Sequence, residues 1–377
     1  MLRDIIVNYN KIVIVGNGNV GMAVYWELLT IEKDLEIAFC DNNCSRIGRY
    51  DTYDVYSFED AVKKYPDAIY LVASVNHIKK MEKQLISLGV HKEKIHSADV
   101  YTYFLELHDK YILQRKTNPQ EYLRMEVSLA EHCNLNCKYC AHFSSIAEKE
   151  FLDISVYEKD IFRMSELLDA KSGIIYLLGG EPLLYPDINK CMQLTREAFP
   201  KSRIIVLTNG LLINKMDKVF FEMCRQLQIV VCVTKYPIKF DYEKVVARLE
   251  TEGIEFDYMR MSDEDCCFSK YTFDLLGRQD PYNSFTRCGM ANQCHLLKKG
   301  KIYTCSVIGC SEHFCKKFNV SMELTDNDSI DIYKVNDKEE LLEKLAKPAD
   351  FCRFCDVDNR IDNLPFEISK REISEWV

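Results

Sequence analysis

The chain of 377 residues is longer than one compact domain usually is, which predicts two or three domains. Hydrophobic residues make up 47% of it and the formal net charge is -9, a globular composition without general attraction to nucleic acid or anionic lipid. Because the first residues lack a signal-peptide core and no apolar run of about 18 residues follows, we predict a soluble, cytoplasmic protein with neither nucleic acid nor membrane as a partner.

The first 115 residues alternate between strand and helix patterns. The β-branched run KIVIV leads into G-x-G-x-x-G, formed by Gly16, Gly18 and Gly21, and a helical pattern follows. The next strand ends at Asp41. A strand, this glycine pattern and a helix are typical of a turn that places a phosphate at a helix N-terminus. We therefore predict a Rossmann-like parallel-sheet domain over residues 1–115, which binds either a nucleotide or no ligand. Its later part, with DVYSFEDA and LGVHKEKI, resembles small Rossmann-like domains of surface polysaccharide enzymes, which implies a nucleotide-sugar or no known ligand.

A second alternation of strands and helices follows the polar stretch QRKTNPQ, which we interpret as a linker. Its predicted strands are MEVSLA, IIYLLGG, RIIVLTNG, QIVVCVT and IEFDYM. This rhythm predicts an α/β domain over residues 123–285, a full or partial (β/α) barrel with its active site at the carboxyl ends of the strands. Residues 286–377 form a small cysteine-rich extension, in which KIYTCSVI has a strand-like pattern.

The chain has seventeen cysteines, which in a reducing compartment indicate metal ligands more than disulfides. Cys133, Cys137 and Cys140 follow the first strand of the second series at CxxxCxxC spacing. Three thiolates at this spacing hold three irons of a 4Fe-4S cluster and leave the fourth iron open. The alternative is a zinc site that takes its fourth ligand from His132 or His142. By contrast, three cysteines in apolar periodic segments are predicted to be core thiols: Cys191, Cys224 and Cys232.

The cysteine spacing resembles the signature of the radical S-adenosylmethionine (SAM) superfamily, including the aromatic Tyr139 before the third cysteine. The GGEP sequence after the second strand strengthens the resemblance. It implies that the cluster binds SAM and cleaves it to start radical chemistry, with an external donor such as flavodoxin or ferredoxin supplying the electron. Tyr139 would lie near the adenine, GGEP would receive the SAM ammonium, and two strand-end threonines would complete the site. The SAM-binding residues implied are Tyr139, Gly179, Gly180, Glu181, Pro182, Thr208 and Thr234.

Two further pairs of cysteines lie in the extension. Their chemistry suits either an iron-sulfur cluster or zinc. The order C-x(11)-G-x(4)-C followed by CxxC resembles the twitch or SPASM extension of radical SAM proteins, which implies an auxiliary 4Fe-4S cluster. Its ligands would be Cys288, Cys305, Cys352 and Cys355. Three cysteines are left over and are interpreted as free thiols, one of them a candidate hydrogen-atom donor: Cys294, Cys310 and Cys315.

Two resemblances bear on the class of substrate. The stretch CAHFSS (residues 140–145) and the first domain resemble proteins of surface polysaccharide loci, which favours a small carbohydrate-like substrate that is oxidised, epimerised or dehydrated. The alternative is a peptide-modifying enzyme, because SPASM-type extensions are common among them. Three residues of YTFDLLGRQD are candidates for polar recognition or for an ordinary connection: Arg278, Gln279 and Asp280.

Overall fold

The computed structural model describes residues 2–16, 18–31, 34–42, 55–74, 78–97, 103–107, 110, 113, 117–119, 123–259 and 268–377. The chain divides into two compact units, Met1–Arg115 and Lys116–Val377. The division lies within QRKTNPQ, of which residues 114–116 and 120 are outside the described residues. In the described part of the chain, no helix combines the length and the apolar character needed to cross a membrane.

The first unit contains a parallel sheet with helices. Its strands are β1 (Lys11–Val15), β2 (Glu36–Cys40), β3 (Val55–Tyr56), β4 (Ile69–Val72) and β5 (Ile95–His96), and its helices are α1 (Leu2–Ile6), α2 (Asn19–Leu29), α3 (Phe58–Lys64) and α4 (Ile78–Ser87). The strand order is β3-β2-β1-β4-β5. Ile12 and Ile14 pack into one apolar cluster while Val13 and Val15 pack into another, so both faces of β1 are covered. This arrangement is typical of doubly wound α/β folds.

The second unit begins with a longer parallel series. Its strands are β6 (Arg124–Ala130), β7 (Ile174–Gly179), β8 (Arg203–Thr208), β9 (Ile229–Thr234) and β10 (Phe256–Met259), and its helices are α5 (Ile154–Leu167), α6 (Ile188–Ala198), α7 (Lys218–Gln226) and α8 (Tyr242–Thr251). Three of these helices begin at an aspartate whose carboxylate accepts hydrogen bonds from first-turn N–H groups, at Asp153, Asp217 and Asp241. The predicted alternation is confirmed, with element ends within a few residues of the expected ones.

The remaining elements follow in chain order. They are β11 (Phe268–Phe273), α9 (Pro281–Arg287), β12 (His295–Lys298), β13 (Lys301–Tyr303), α10 (Ser306–Phe318), β14 (Ile330–Asp331), α11 (Lys338–Leu345) and β15 (Cys355–Leu364). Three of these strands, β12, β13 and β14, extend the sheet of the second unit. The sheet order is β10-β9-β8-β7-β6-β12-β13-β14, with β12 parallel to β6, while β11 pairs with β15. Residues on both sides of position 285 therefore share one sheet, and a domain boundary there stays a prediction.

The strand predicted for KIYTCSVI is wrong in its second half. The β12–β13 hairpin turns at Lys299 and Gly300, but the strand ends at Tyr303 and α10 begins at Ser306. Residues Val307 and Ile308 are buried on the helix. A Cβ at Gly309 would lie 2.7 Å from a side-chain atom of Leu296, so the helix packs closely on the hairpin. Tertiary packing here overrides a β-branched local pattern.

The two faces of β6 have different surroundings. Met125, Val127 and Leu129 belong to the core cluster that the helices cover. Because side chains alternate along a strand, Glu126 and Ser128 lie on the opposite face, which we call the inner face. The carboxyl ends of the parallel strands all meet at one edge of the sheet, where Ala130, Gly179 and Thr208 are the last strand residues.

Candidate functional site

The loop after β6 carries the three motif cysteines at the carboxyl edge of the sheet. The Cys133 sulfur accepts hydrogen bonds from the Leu135 N–H at 3.3 Å and from the Asn209 side-chain amide at 3.7 Å. Cys133, Cys137 and Cys140 all belong to one small cluster with Leu135 and Phe268. The structure thus brings the three cysteines together beside the end of β8.

The cysteine sulfurs of this loop suit the positively charged irons of a 4Fe-4S cluster. Burial, reinforced by Glu181 and Cys140, raises the pKa of the Cys133 thiol to about 12, so a thiolate there needs a compensating positive centre. Among the described residues, no three Cys, His, Asp or Glu side chains are arranged to share one metal ion. The cysteine ligands of a 4Fe-4S cluster each bind a different iron and need not share one.

A distant segment, residues 366–377, pairs with this loop. The Lys138 N–H donates to the Glu367 carbonyl at 2.9 Å, and the Ser369 N–H donates to the Asn136 carbonyl at 2.9 Å. Cys137 and Ile368 form the antiparallel bridge between them. The Trp376 indole N–H donates to the Cys140 carbonyl at 3.3 Å. The middle and the far end of the cysteine loop are therefore fixed by a segment more than 200 residues away in sequence.

Trp376 anchors this segment in an aromatic group. Its ring centroid lies 5.8 Å from that of Phe143, 6.0 Å from that of Phe314 and 5.9 Å from that of Phe318. The residue is 2% exposed. Loss of a buried indole of this kind costs about 3–5 kcal/mol of packing free energy.

Replacing Trp376 with alanine should loosen the cysteine loop. We expect amide hydrogen exchange in peptides spanning residues 133–143 to accelerate at least about tenfold, because the local opening free energy falls by more than about 1.4 kcal/mol. The matched control is Trp26→Ala, since Trp26 is 52% exposed in the first unit and its loss should leave that exchange unchanged. Equal exchange in the two variants would show that Trp376 does not hold the loop.

The GGEP loop after β7 is interlocked with the cysteine loop. The Gly180 N–H donates to the Ala130 carbonyl at 2.6 Å, and the Glu181 N–H donates to the His132 carbonyl at 3.2 Å. A Cβ on Gly180 would lie 2.1 Å from the His132 carbonyl oxygen, so only glycine fits. Gly179 has a φ of +132°, and Pro182 begins a short 3-10 helix, Pro182–Leu184. The two motifs form one structural unit.

Glu181 lies at the centre of this unit and is fully buried. One carboxylate oxygen accepts hydrogen bonds from the Thr208 hydroxyl at 2.6 Å and the Leu183 N–H at 3.0 Å, while the other accepts from the Asn209 N–H at 2.9 Å. Burial raises its pKa to about 7 despite these donors. The carboxylate therefore ties the end of β7 to the end of β8, and the sequence did not indicate this role. Its contact with the SAM ammonium stays a prediction.

An aromatic group lies in the same cluster as the three cysteines. Tyr236 has its ring centroid 6.2 Å from that of Phe268 and 5.5 Å from that of Phe366. Tyr139 has a φ of +62°, and Thr234 is a buried residue at the end of β9. The sequence did not point to Tyr236, Phe268 or Phe366, because three aromatic residues so far apart carry no local motif.

The four cysteines of the extension also come together. The neighbours that act electrostatically on Cys305 are Cys288, Cys352 and Cys355, and burial is the main cause that raises the pKa of the Cys305 thiol well above its usual value. Of the spare thiols, Cys294 lies beside Glu126 and Cys310 interacts with Lys298 and Glu131, whereas Cys315 is only half-buried. Cys294 also lies next to the group of four, because it forms a β-bridge with Cys305 and interacts with Cys288.

Two carboxylates are buried near the cysteines: Glu126 on β6 and Glu131 just after it. Glu131 accepts from Lys298 at 3.0 Å and pairs with His313 at 2.6 Å. Burial alone would raise its pKa, but His313 and Lys298 outweigh burial and hold it at about 2. Because Lys298 is on β12 and His313 on α10, this charged group fixes the start of the cysteine loop to the extension.

Other candidates have structural roles. Arg278 and Gln279 both donate to Asp274, and Asp280 caps α9 by accepting from the Asn283 N–H at 2.7 Å. These contacts favour the interpretation of the segment as an ordinary connection.

A cavity of about 810 Å³ lies at the amino ends of β8 and β9, at the edge of the sheet opposite the cysteine loop. The arginines that line it already form ion pairs or donate to carbonyl groups.

In the first unit, close backbone contacts require glycine at two positions of the G-x-G-x-x-G turn. A Cβ on Gly21 would lie 2.1 Å from the Gly16 carbonyl oxygen, and one on Gly16 would lie 2.8 Å from that of Ala73. Gly18 has open space around it, while Asn17 is outside the described residues. Asp41 is buried after β2, where its N–H donates to the Tyr56 carbonyl at 3.1 Å. The binding of a nucleotide at this turn stays a prediction.

Comparison with known proteins identifies the class of the central domain. Residues 127–231 match the model of the Radical SAM superfamily, so this part of the chain is a radical SAM domain. A GTP 3',8-cyclase of Clostridium botulinum is 36% identical over 104 residues, which are 27% of this chain and 30% of that protein. Molybdenum cofactor biosynthesis protein 1 of Dictyostelium discoideum is 32% identical over 111 residues, 29% of this chain and 17% of that one. The chain thus spans less than a third of either relative.

Solved structures give a weaker likeness. A crystal structure of BtrN in complex with AdoMet and 2-DOIA covers 63% of this chain and 94% of its own, with 22% identity and a TM-score of 0.42. Native anSMEcpe with bound AdoMet covers 62% and 82% respectively, with 13% identity and a TM-score of 0.40.

Proposed function

We propose that the chain is a radical SAM enzyme that reductively cleaves SAM and abstracts a hydrogen atom from a hydroxylated, sugar-like small molecule. The observation that carries the proposal is the interlocking of the cysteine loop with the GGEP loop at the carboxyl edge of the sheet. Cys133, Cys137 and Cys140 would hold a 4Fe-4S cluster. When bound and reduced, this cluster supplies the electron that splits SAM into methionine and a 5'-deoxyadenosyl radical.

The residues around the cluster loop have distinct tasks in this proposal. Backbone groups of Gly179 and Gly180 would orient the methionine part of SAM, and Glu181 keeps the ends of β7 and β8 in register through Thr208. Tyr139 and Thr234 would contact the nucleoside. The aromatic group formed by Tyr236, Phe268 and Phe366 would exclude water from the reactive carbon centre.

The extension and the first unit would complete the enzyme. The four thiols that come together in the extension suit an auxiliary 4Fe-4S cluster, which would accept an electron if the substrate alcohol is oxidised. Epimerisation would instead use a thiol such as Cys294 or Cys310 as hydrogen-atom donor, and dehydration needs neither. The turn at Gly18 would hold a nucleotide or nucleotide-sugar, and flavodoxin or ferredoxin would deliver the first electron.

Anaerobically reconstituted protein should contain about eight irons per chain, four at each site. With dithionite and SAM it should form 5'-deoxyadenosine, measured by mass spectrometry, and a hydroxylated substrate should raise the yield. The panel contains UDP-glucose, UDP-N-acetylglucosamine and myo-inositol, with a set of peptides as the comparison. Formation of no 5'-deoxyadenosine would refute the function, stimulation by a peptide alone would favour the peptide-modifying alternative, and zinc copurifying with the extension would refute the auxiliary cluster.

A further inference from the structure

A second buried carboxylate, Glu126, lies on the inner face of β6 and is 4% exposed. The neighbouring inner-face positions on β7 and β8 are largely apolar, with Tyr176, Leu178 and Ile205 in one cluster. A carboxylate in such surroundings costs folding free energy unless strong partners compensate it. The contacts of Glu126 decide whether it is compensated.

The partners of Glu126 are incomplete. Its Oε2 lies 3.8 Å from the Nε2 of His142, and its Oε1 lies 4.0 Å from the guanidinium of Arg124, both beyond hydrogen-bond range. The Cys294 thiol is a further neighbour; burial raises the pKa of Glu126, but His142, Arg124 and Cys294 together outweigh it and lower that pKa. Among the residues that the structure describes, neither Glu126 Oε2 nor His142 Nε2 has a hydrogen-bond partner.

Two serines close to His142 in sequence share this property. Ser144 and Ser145 are each 5% exposed, and neither hydroxyl has a hydrogen-bond partner within the described part of the chain. Four residues of CAHFSS and β6 therefore each have one buried polar atom without a hydrogen-bond partner among the described residues. They are Glu126, His142, Ser144 and Ser145. Buried polar groups are normally satisfied, and exceptions of this density mark a place where a water or ligand completes the bonding.

Glu131 provides an internal comparison, because it lies just beyond the same strand and is also buried, at 7% exposure. Its carboxylate has both Lys298 and His313 within 3.0 Å. The fold therefore places two close partners on Oε2 of Glu131, whereas Oε2 of Glu126 has none within hydrogen-bond distance among the described residues.

The separation of Glu126 Oε2 and His142 Nε2 fits one shared oxygen atom. An oxygen placed about 2.8 Å from each of two atoms 3.8 Å apart makes an angle of about 85° between them, so a single hydroxyl can reach both atoms. The hydroxyl O–H donates to the carboxylate, and the hydroxyl oxygen accepts from the Nε2–H of the imidazole. His142 follows Cys140 by two residues, so the pair lies beside the cysteine loop.

We propose that Glu126 and His142 bind one hydroxyl group of the substrate on the inner face of β6, with Ser144 and Ser145 as further hydroxyl contacts. The inference rests on the proposed function and deepens it, because it assigns the residues that recognise a polyol. It also gives a role to the CAHFSS stretch, whose residues after Cys140 have none in cluster binding.

The first test compares the thermal stability of two matched variants, Glu126→Leu and Glu131→Leu, as reconstituted holoproteins. A carboxylate kept for a ligand is dispensable for folding, so Glu126→Leu should melt within about 1 °C of wild type or higher. Glu131→Leu removes the partner of two buried groups and should melt at least about 5 °C lower. A fall in the Glu126 variant as large as in the Glu131 variant would overturn the proposal, because it would make Glu126 a structural residue.

The second test uses the panel of UDP-glucose, UDP-N-acetylglucosamine and myo-inositol. We expect the ratio of 5'-deoxyadenosine formed with and without the stimulating compound to fall at least about tenfold in Glu126→Leu at unchanged iron content. Glu126→Gln should restore part of it, because its amide oxygen still accepts from a hydroxyl. An unchanged ratio in Glu126→Leu would overturn the site. If no compound raises the yield in wild type while SAM is still cleaved, the hydroxylated substrate class itself is wrong.

Discussion

Replacing Cys133, Cys137 and Cys140 together with alanine should abolish the formation of 5'-deoxyadenosine and leave about four irons per chain. The three thiols are the only protein ligands proposed for the first cluster, so their loss removes both the metal and the site that binds SAM. The four thiols of the extension come from residues 288–355 and would retain their own cluster.

The matched control for this triple variant is Cys191→Ala, Cys224→Ala and Cys232→Ala. These three cysteines are also buried in the second unit, but they pack in apolar clusters of α6, α7 and β9. The control should keep about eight irons and the wild-type yield of 5'-deoxyadenosine. Wild-type cleavage of SAM in the first variant would contradict the assignment of the cluster ligands, and equal iron loss in both would mean that cysteine removal only perturbs folding.

Replacing Gly180 with alanine should lower the rate of SAM cleavage about a hundredfold or more, although Gly180 contributes no side chain. The added Cβ would lie 2.1 Å from the His132 oxygen and 2.9 Å from the Cys133 N–H nitrogen, both of them backbone atoms. The cysteine loop must then shift by about 1 Å, and displacement of this size costs about two orders of magnitude in rate.

The measurement is the yield of 5'-deoxyadenosine per chain at matched iron content. Gly18→Ala is the control, since a Cβ at Gly18 meets nothing within 4 Å and should leave SAM cleavage unchanged. If Gly180→Ala cleaves SAM at the wild-type rate, the two loops are not held in the register that the structure gives them.

The sequence predicted those features that depend on local patterns. Hydrophobic periodicity located the strands and helices from β6 to β10, and the spacing of Cys133, Cys137 and Cys140 indicated their shared role. The strand-like pattern of KIYTCSVI failed because burial of Val307 and Ile308 on α10 depends on the hairpin beneath them. A local pattern does not report the surface on which a segment packs.

The contacts that complete the site are long-range, and the sequence did not reveal them. Glu181 was expected to face a ligand, yet its carboxylate is enclosed by donors from β8 and its own loop. Trp376 and Phe366 lie far along the chain from the cysteines that they surround. No periodicity or spacing connects such pairs, since only the folded topology places them together.

The pairing of residues 136–138 with residues 367–369 has a consequence for biogenesis. During synthesis the cysteine loop emerges from the ribosome long before its pairing partner, with 229 residues separating Lys138 from Glu367. At about 5–20 residues per second, that interval lasts roughly ten seconds or more. Throughout it the three thiols remain in an unfinished loop that is accessible to oxidants. Cluster assembly on this protein should therefore follow synthesis of residues 367–369, and a pause in translation before residue 367 should increase oxidative loss of the site.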